Sequence, residues 1–256
     1  MALKRKQRIR VSEISMGMRC PLQYYFLKTI GPRPPSAALV TGTSFHKAME
    51  VNFKEKAKSG LDAPLDVCTD AFNDTFKGEL LETEWRDDDP NEFMNKGVLM
   101  VKKAKEILTP PIQVEKEEDI ERTFIIDCGD FEIKGTCDLK LPEKEGLIDW
   151  KTSSKMWYQN RAEKEVQGYL YPLGITPIEE ELLPLSFNVL SYAGKTGAFP
   201  VQHTREAAGF IVETARNLIR MVKRDEPIVN PYNMYCGEKY CGWYNLCRIK
   251  DQKEGK

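Results

Sequence analysis

The sequence predicts a mixed α/β fold in which a central mixed β-sheet is flanked by helices. Two observations carry this prediction. Apolar residues recur with a helical period over residues 11–108, and they alternate with polar residues from residue 112 to residue 151. The pair Pro110-Pro111 separates the two regions, because proline ends a helix. Helices that flank a sheet are one of the few layered arrangements that bury the apolar faces of both.

The helical region divides into four segments. Ser12 or Ser15 is a suitable cap for the first segment, and a loop from Arg86 to Pro90 separates the last two. The predicted helices of this region cover residues 11–30, 38–58, 66–86 and 91–108.

The second half of the chain is expected to supply the sheet and two further helices. Its predicted strands cover residues 112–127, 131–141, 146–151 and 183–192, with a short edge strand at 195–202. Its predicted helices cover residues 156–173 and 204–224. We therefore predict one domain over 1–256, with a helical part (1–111), a sheet core (112–203) and a C-terminal helix with a cysteine-rich tail (204–256).

Composition narrows the class of protein. The 256 residues are 41% hydrophobic and 30% charged, with a formal net charge of −1, which is typical of a globular protein. The near-neutral charge neither indicates nor excludes a nucleic-acid partner, because such a partner needs only a local basic patch. The sequence has no apolar run of about 18 residues and no secretory signal pattern, so we expect a cytoplasmic protein without a membrane partner.

The pattern richest in chemistry is a predicted hairpin between the second and third strands. Pro142 and Gly146 bound its turn, and a centre between residues 143 and 144 makes Asp138 and Asp149 cross-strand partners. Opposed side chains on antiparallel strands have Cβ atoms roughly 5 Å apart. Lys151 lies two residues beyond Asp149 and therefore projects from the same face of the strand.

Two opposed carboxylates repel each other unless a cation lies between them, so the hairpin predicts a metal site beside an ammonium group. Carboxylate oxygens are ligands that Mg²⁺ and Mn²⁺ prefer. A surface hairpin with charged residues on its solvated face is the alternative. Asp138, Asp149 and Lys151 are thus candidate residues of a metal-dependent phosphodiesterase.

Three further polar side chains are candidates with weaker signals. His46 lies on a predicted helix, where a lone histidine is more often structural than a ligand. Gln167 and Tyr171 are one helical turn apart and share a face, which suits them to bind a phosphate or a water as well as to pack.

The seven cysteines divide into two groups. Cys68, Cys128 and Cys137 are isolated and are expected to be ordinary buried thiols. Cys236, Cys241 and Cys247 are closely spaced, which favours metal ligation over disulfides in an intracellular chain, and Cys20 is the candidate fourth ligand. Spacing does not decide between zinc and an iron–sulfur cluster.

Together these motifs resemble the PD-(D/E)xK nuclease superfamily, and within it the RecB-like iron–sulfur branch that includes the AddB nuclease module and the CRISPR-adaptation exonucleases. The resemblance covers nearly the whole chain in the expected order. It is carried by Cys20-Pro21, by Gly42 to His46, by Gly135-x2-Asp138, by Asp149-Trp150-Lys151-Thr152, by Gln167-x3-Tyr171 and by the three tail cysteines.

The resemblance implies a restriction-endonuclease-like core and adds three site assignments. It makes His46 a metal ligand, adds the backbone carbonyl of Trp150, and favours a [4Fe–4S] cluster over zinc at Cys20, Cys236, Cys241 and Cys247. The gap between Cys236 and Cys241 is longer than the two-residue spacing common in the family.

The function that follows is a DNA exonuclease acting on single-stranded DNA or duplex ends, in recombination, repair or spacer processing. Such a protein would act in the cytoplasm of a prokaryote or of a virus-infected host cell. Recombination or CRISPR-adaptation proteins are its expected partners, and it could form an oligomer. Two alternatives remain at this point: a DNA-binding subunit with a vestigial metal site, and a zinc-stabilised protein without catalysis. The sequence carries no Gly-x4-Gly-Lys-Ser/Thr motif, so we expect a stand-alone nuclease.

Overall fold

The predicted fold class is confirmed by the computed structural model, which describes residues 6–233, 236–238 and 240–247. The fold is mixed α/β, with a mixed sheet of six strands flanked by helices. The strands are β1 (Gln7–Arg10), β2 (Ile120–Asp127), β3 (Phe131–Lys140), β4 (Leu147–Ser153), β5 (Leu185–Ser191) and β6 (Thr196–Val201).

Parallel and antiparallel pairs alternate across the sheet, whose order is β1-β3-β4-β5-β6, with β2 also paired to β3. The β1–β3 and β4–β5 pairs are parallel, and the β3–β4 and β5–β6 pairs are antiparallel. The sheet therefore presents β3 and β4 as adjacent antiparallel strands near its middle, where the predicted hairpin lies.

Helices precede β2 and follow β4 and β6. They are α1 (Val11–Arg19), α2 (Pro21–Thr29), α3 (Ala37–Ser59), α4 (Leu65–Gly78), α5 (Pro90–Lys103), α6 (Gln159–Ala162), α7 (Val166–Ile175) and α8 (Arg205–Arg224). A π-helical turn at Ala104–Leu108 continues α5, and short 3₁₀ turns lie at Glu117–Asp119 and Tyr244–Leu246.

Several predicted elements differ from the observed ones, and one observed strand was not predicted. The predicted helix 11–30 is two helices, because the residue before a proline disfavours the helical conformation and Cys20 is extended before Pro21. The predicted helix 156–173 is also divided, at an extended Glu165, and the predicted strand 112–127 begins only at Ile120. Strand β1 was not predicted, since its four residues are too few to show a period.

The chain divides into two compact units, and the larger one comprises residues 34–124 and 135–205. Helix α3 is its longest helix. The Ser36 hydroxyl caps its first turn by accepting a hydrogen bond from the Leu39 N–H, and Gly60 ends it with a φ of 75°. The buried face of α3 packs Phe45 and Phe53 against Trp150 of β4, with ring centroids 6.2 and 5.9 Å apart respectively. This packing fixes α3 over β4.

The smaller unit comprises residues 1–33, 125–134 and 206–256, as far as the structure describes them. Its helices α1 and α8 approach closely at Gly17, where an added Cβ would lie 2.4 Å from Leu218 Cδ1. On the other side of α8, the Arg216 guanidinium forms an ion pair with Asp130 and lies 5.0 Å from the ring centre of Phe131. Such an exposed ion pair is worth little by itself, so the buried apolar face of α8, which includes Leu218, holds the helix in place.

Among the described residues, every helix is too short or too polar to span a bilayer.

Candidate active site

The β3–β4 pair has the predicted register. Leu139 lies opposite Ile148 and Lys140 opposite Leu147, so Asp138 and Asp149 come next in that register. Both side chains are buried, with 8% and 2% of their surface exposed. Asp138 Oδ2 accepts a hydrogen bond of 2.6 Å from the Trp150 backbone N–H, which fixes this carboxylate against β4.

Helix α3 brings His46 to the other oxygen of Asp138, 92 residues away in sequence. His46 Nδ1 lies 3.0 Å from Asp138 Oδ1. Burial lowers the pKa of His46, but attraction to Asp138 and the hydrogen bond between them outweigh burial and raise the pKa to about 9. His46, for which the sequence gave only a weak signal, therefore contacts one of the two predicted metal-binding acids.

Asp149 lies against Lys151, its neighbour on the same strand face. Lys151 Nζ is 2.6 Å from Asp149 Oδ2, and 5.7 Å from the centre of the Phe187 ring. Burial raises the pKa of Asp149 to about 6, although attraction to Lys151 works in the opposite direction. For Lys151 burial lowers the pKa, but Asp149 outweighs it and the net pKa is raised, so the amine remains protonated.

Glu121, the second residue of β2, is a site residue that sequence reasoning missed. One ligand atom each of His46, Glu121 and Asp138 lies within 4.8 Å of the others, and this is the only such trio of metal-binding residue types in the described part of the chain. Burial and the nearby charge of Asp138 raise the pKa of Glu121 to about 7. Its sequence gave no signal, since Glu115, Glu117 and Glu118 in the same segment look alike.

Gln167 and Tyr171 share a face of α7, as predicted from their spacing. Tyr171 is buried, with its ring 5.5 Å from that of Phe124 in an edge-on arrangement. Burial and then the charge of Asp149 raise its pKa well above the usual range. Gln167 Oε1 is buried and has no hydrogen-bond partner among the described residues. The structure describes no hydrogen bond from either residue to the two aspartates, although Tyr171 lies close enough for their charge to act on its pKa.

Access to this group is through a surface cavity of about 380 Å³. His46, Glu121 and Lys151 line it, together with Gly42 of α3 and the backbone region of Trp150. An added Cβ at Gly42 would lie 3.3 Å from Thr152 Oγ1, so a larger residue there would narrow the space between α3 and β4. The Trp150 ring itself is buried in the core, and only its backbone is available to the site.

The four predicted cluster cysteines lie together in the smaller unit. Cys20, Cys236, Cys241 and Cys247 line one cavity of about 20 Å³ between α2 and the tail. The Gln23 amide donates a hydrogen bond of 3.3 Å to Cys241 Sγ. The three isolated cysteines differ from one another: Cys68 and Cys137 are buried as expected, and Cys128 is only half-buried.

The neighbouring strands of this mixed sheet carry buried acidic residues and a lysine. These features place the chain among α/β proteins with a candidate metal site. The family model described as the PD-(D/E)XK nuclease superfamily matches residues 8–248, and the chain belongs to this superfamily. Among curated proteins, none matches the sequence.

Two solved structures are similar to this chain. One is a candidate exonuclease from Eubacterium rectale, with 12% identity and a TM-score of 0.58 over 95% of this chain and 89% of that one. The other is SSO0001, with 14% identity and a TM-score of 0.49 over 97% of this chain and 89% of that one. At such low identity the first likeness supports the fold alone.

Proposed function

We propose that this chain is a metal-dependent DNA nuclease, an exonuclease that hydrolyses phosphodiester bonds of single-stranded DNA or duplex ends. The observation that carries the proposal is the convergence of His46, Glu121 and Asp138, with the Asp149–Lys151 pair on the adjoining strand. His46, Glu121 and Lys151 open onto one cavity. Membership of a nuclease superfamily supports a nucleic-acid substrate.

The donor set fits Mg²⁺ or Mn²⁺, which prefer carboxylate and carbonyl oxygens and are also bound by imidazole. Asp138 and Asp149 would hold the ion, with help from His46 and from the backbone carbonyl of Trp150. The fit is supported by the buried negative charge: Asp138 and Asp149 are both nearly inaccessible to water, and Lys151 is the only amine in contact with them in the described chain. When bound, such an ion polarises the scissile phosphate and lowers the pKa of a coordinated water.

Lys151 has the chemistry for the remaining task. Its protonated amine carries three donors and no acceptor, so it can orient the attacking water and neutralise charge that develops on the phosphate oxygens. Contact with Asp149 fixes the amine beside the acidic group. Gln167 and Tyr171, on the flanking helix, would position the DNA backbone, because an amide N–H and a phenol O–H can donate to phosphate oxygens.

The second part of the proposal is a [4Fe–4S] cluster at Cys20, Cys236, Cys241 and Cys247. The four thiols line one cavity of the smaller unit, so they are available to one metal group. The resemblance to the RecB-like iron–sulfur branch favours a cluster over a single zinc ion, and both accept four thiolates. The role of the cluster would be structural, joining α2 to the tail within the smaller unit.

Digestion of end-labelled DNA tests the nuclease. With Mn²⁺, the protein should shorten linear single strands or duplex ends from one labelled terminus and leave covalently closed circles intact, and excess EDTA should stop the reaction. Substrates labelled at the 5′ or the 3′ end report direction. Binding of DNA without cleavage in Mn²⁺ or Mg²⁺ would contradict the proposal and favour a DNA-binding subunit. DNA single strands and duplex ends arise during recombination, repair and spacer processing, which we propose as the settings of this activity in a prokaryotic or virus-infected cytoplasm.

Metal content tests the cluster. Protein purified without oxygen should carry about four iron atoms per chain and a broad visible absorbance, and Cys241→Ser should lose both. Cys68→Ser is the matched control, because Cys68 is buried in the larger unit and far from the tail in sequence. One zinc ion per chain, with no iron, would overturn this part of the proposal and leave the nuclease untouched.

A further inference from the structure

Strand β2 carries the carboxylate of Glu121, which is not part of any motif identified in the sequence. Its first residues, Ile120 and Glu121, lie close to the point where α3 presents His46 to Asp138. Glu121 has a φ of 51°, and in the described chain it is the only non-glycine residue with a positive φ that lies within a strand. A residue in this region costs about 1–3 kcal/mol and persists where the surrounding structure holds it, often at a functional site.

The carboxylate of Glu121 is surrounded by negative charge. Asp138, Glu50 and Asp149 all act on it with the same sign, and the positive charges of His46 and Lys54 oppose them. Among the described residues, no hydrogen bond or ion pair reaches the Glu121 carboxylate. A half-buried carboxylate next to a buried one, with no donor of its own, lacks the compensation that such groups normally have in a folded protein.

The spacing of the ligand atoms is that of a cation site. Oxygen ligands bind Mg²⁺ at 2.0–2.1 Å, so two ligands on opposite sides of one ion are about 4.2 Å apart. Atoms of His46, Glu121 and Asp138 already lie within 4.8 Å of one another, and both His46 and Glu121 face the open cavity. The ion would therefore reach the trio from solvent without displacing the core.

We propose that Glu121 is a protein ligand of the catalytic ion, acting with His46 and Asp138 from a third element of the fold. The inference rests on the proposed function and extends it, because the sequence motifs place all acidic ligands on β3 and β4. Here β2 adds a carboxylate to the site. Asp138 belongs both to the trio with His46 and Glu121 and to the cross-strand pair with Asp149.

Mn²⁺ titration of metal-free protein tests the role of Glu121 directly, by calorimetry or by the electron paramagnetic resonance signal of free Mn²⁺. Glu121→Gln keeps the shape of the side chain and removes its charge, so it should weaken Mn²⁺ binding about 10- to 100-fold. Glu118→Gln is the matched control, because Glu118 is exposed and only three residues away. Its affinity should stay within about twofold of that of the wild type.

Thermal melting without metal separates a ligand from a structural residue. Glu121→Gln relieves repulsion from Asp138, so its metal-free melting temperature should equal or exceed that of the wild type, while the upward shift produced by Mn²⁺ should shrink. A lower metal-free melting temperature with an unchanged Mn²⁺ shift would assign Glu121 a structural role and overturn the proposal.

The DNA digestion distinguishes failure of this inference from failure of the proposed function. If the wild type cleaves DNA and Glu121→Gln binds Mn²⁺ within about twofold of the wild type, only the role of Glu121 is overturned. If the wild type neither binds Mn²⁺ nor cleaves DNA, both fall. Glu121→Asp, which keeps the charge on a shorter side chain, should bind Mn²⁺ with an affinity between those of the wild type and Glu121→Gln.

Discussion

Asp138→Asn is expected to lower the rate of metal-dependent DNA cleavage at least about 1,000-fold. A bound ion contributes several kcal/mol to stabilisation of the transition state, and each 1.36 kcal/mol corresponds to a factor of ten in rate. Asp138 is the carboxylate that touches both the His46 imidazole and the Trp150 backbone. Removal of its charge therefore weakens every arrangement in which these groups hold a cation.

The fold should survive the Asp138→Asn change, because an asparagine can replace both hydrogen bonds. Its carbonyl oxygen can accept from the Trp150 N–H, and its amide can donate to the neutral imidazole of His46. Asp127→Asn is the matched control, since Asp127 is an exposed acid of the same sheet that pairs with Lys6. Rates from end-labelled DNA, combined with circular dichroism melts, check both statements. Retention of more than a tenth of the wild-type rate would remove Asp138 from the site.

Local patterns were sufficient to predict the hairpin that carries the two aspartates. Two strands joined by a short turn leave little freedom in register, so the turn residues between Leu141 and Leu147 determine which residues face each other. The same local rules predicted α8, whose apolar stripe is continuous over twenty residues.

Predictions were wrong where a single residue overrides a periodic pattern. The apolar residues on both sides of Cys20-Pro21 continue with a helical period, but the backbone before the proline is extended and two helices result. A second predicted helix is divided at an extended Glu165, although no proline follows it. A periodic pattern of apolar residues shows which face of a helix is buried, but it does not show at which residue the helix ends.

Glu121 could not be predicted because its position depends on contacts distant in sequence. Its distance from His46 and Asp138 depends on how α3 and β3 lie against the start of β2, and its positive φ has no sequence signature such as glycine. Asp138, Asp149 and Lys151 were accessible to sequence reasoning because one hairpin contains all three. Residues that lie on one hairpin can be predicted from nearby sequence, whereas a proposed ligand from another strand, such as Glu121, cannot.

Lys151→Met is expected to lower the cleavage rate about 100- to 10,000-fold without weakening Mn²⁺ binding, because the side chain acts on the water and the phosphate rather than on the ion. This separation of rate from affinity distinguishes Lys151 from the ligands. Lys155→Met, in the exposed loop after β4, is the matched control and should cleave DNA at the wild-type rate. Single-turnover rates at saturating Mn²⁺, together with Mn²⁺ titration, provide both quantities.

The same substitution should make the stability of the protein depend on metal more strongly. Asp149 is only 2% exposed, and its carboxylate forms an ion pair of 2.6 Å with Lys151. Loss of this ion pair leaves a buried charge without a partner, which lowers the stability of the metal-free protein by about 2 kcal/mol. A cation bound to Asp149 offsets that cost, so Mn²⁺ should raise the melting temperature of Lys151→Met more than that of the wild type. An equal Mn²⁺ shift in the two proteins would mean that the ion does not reach Asp149, and the site would then consist of His46, Glu121 and Asp138 alone.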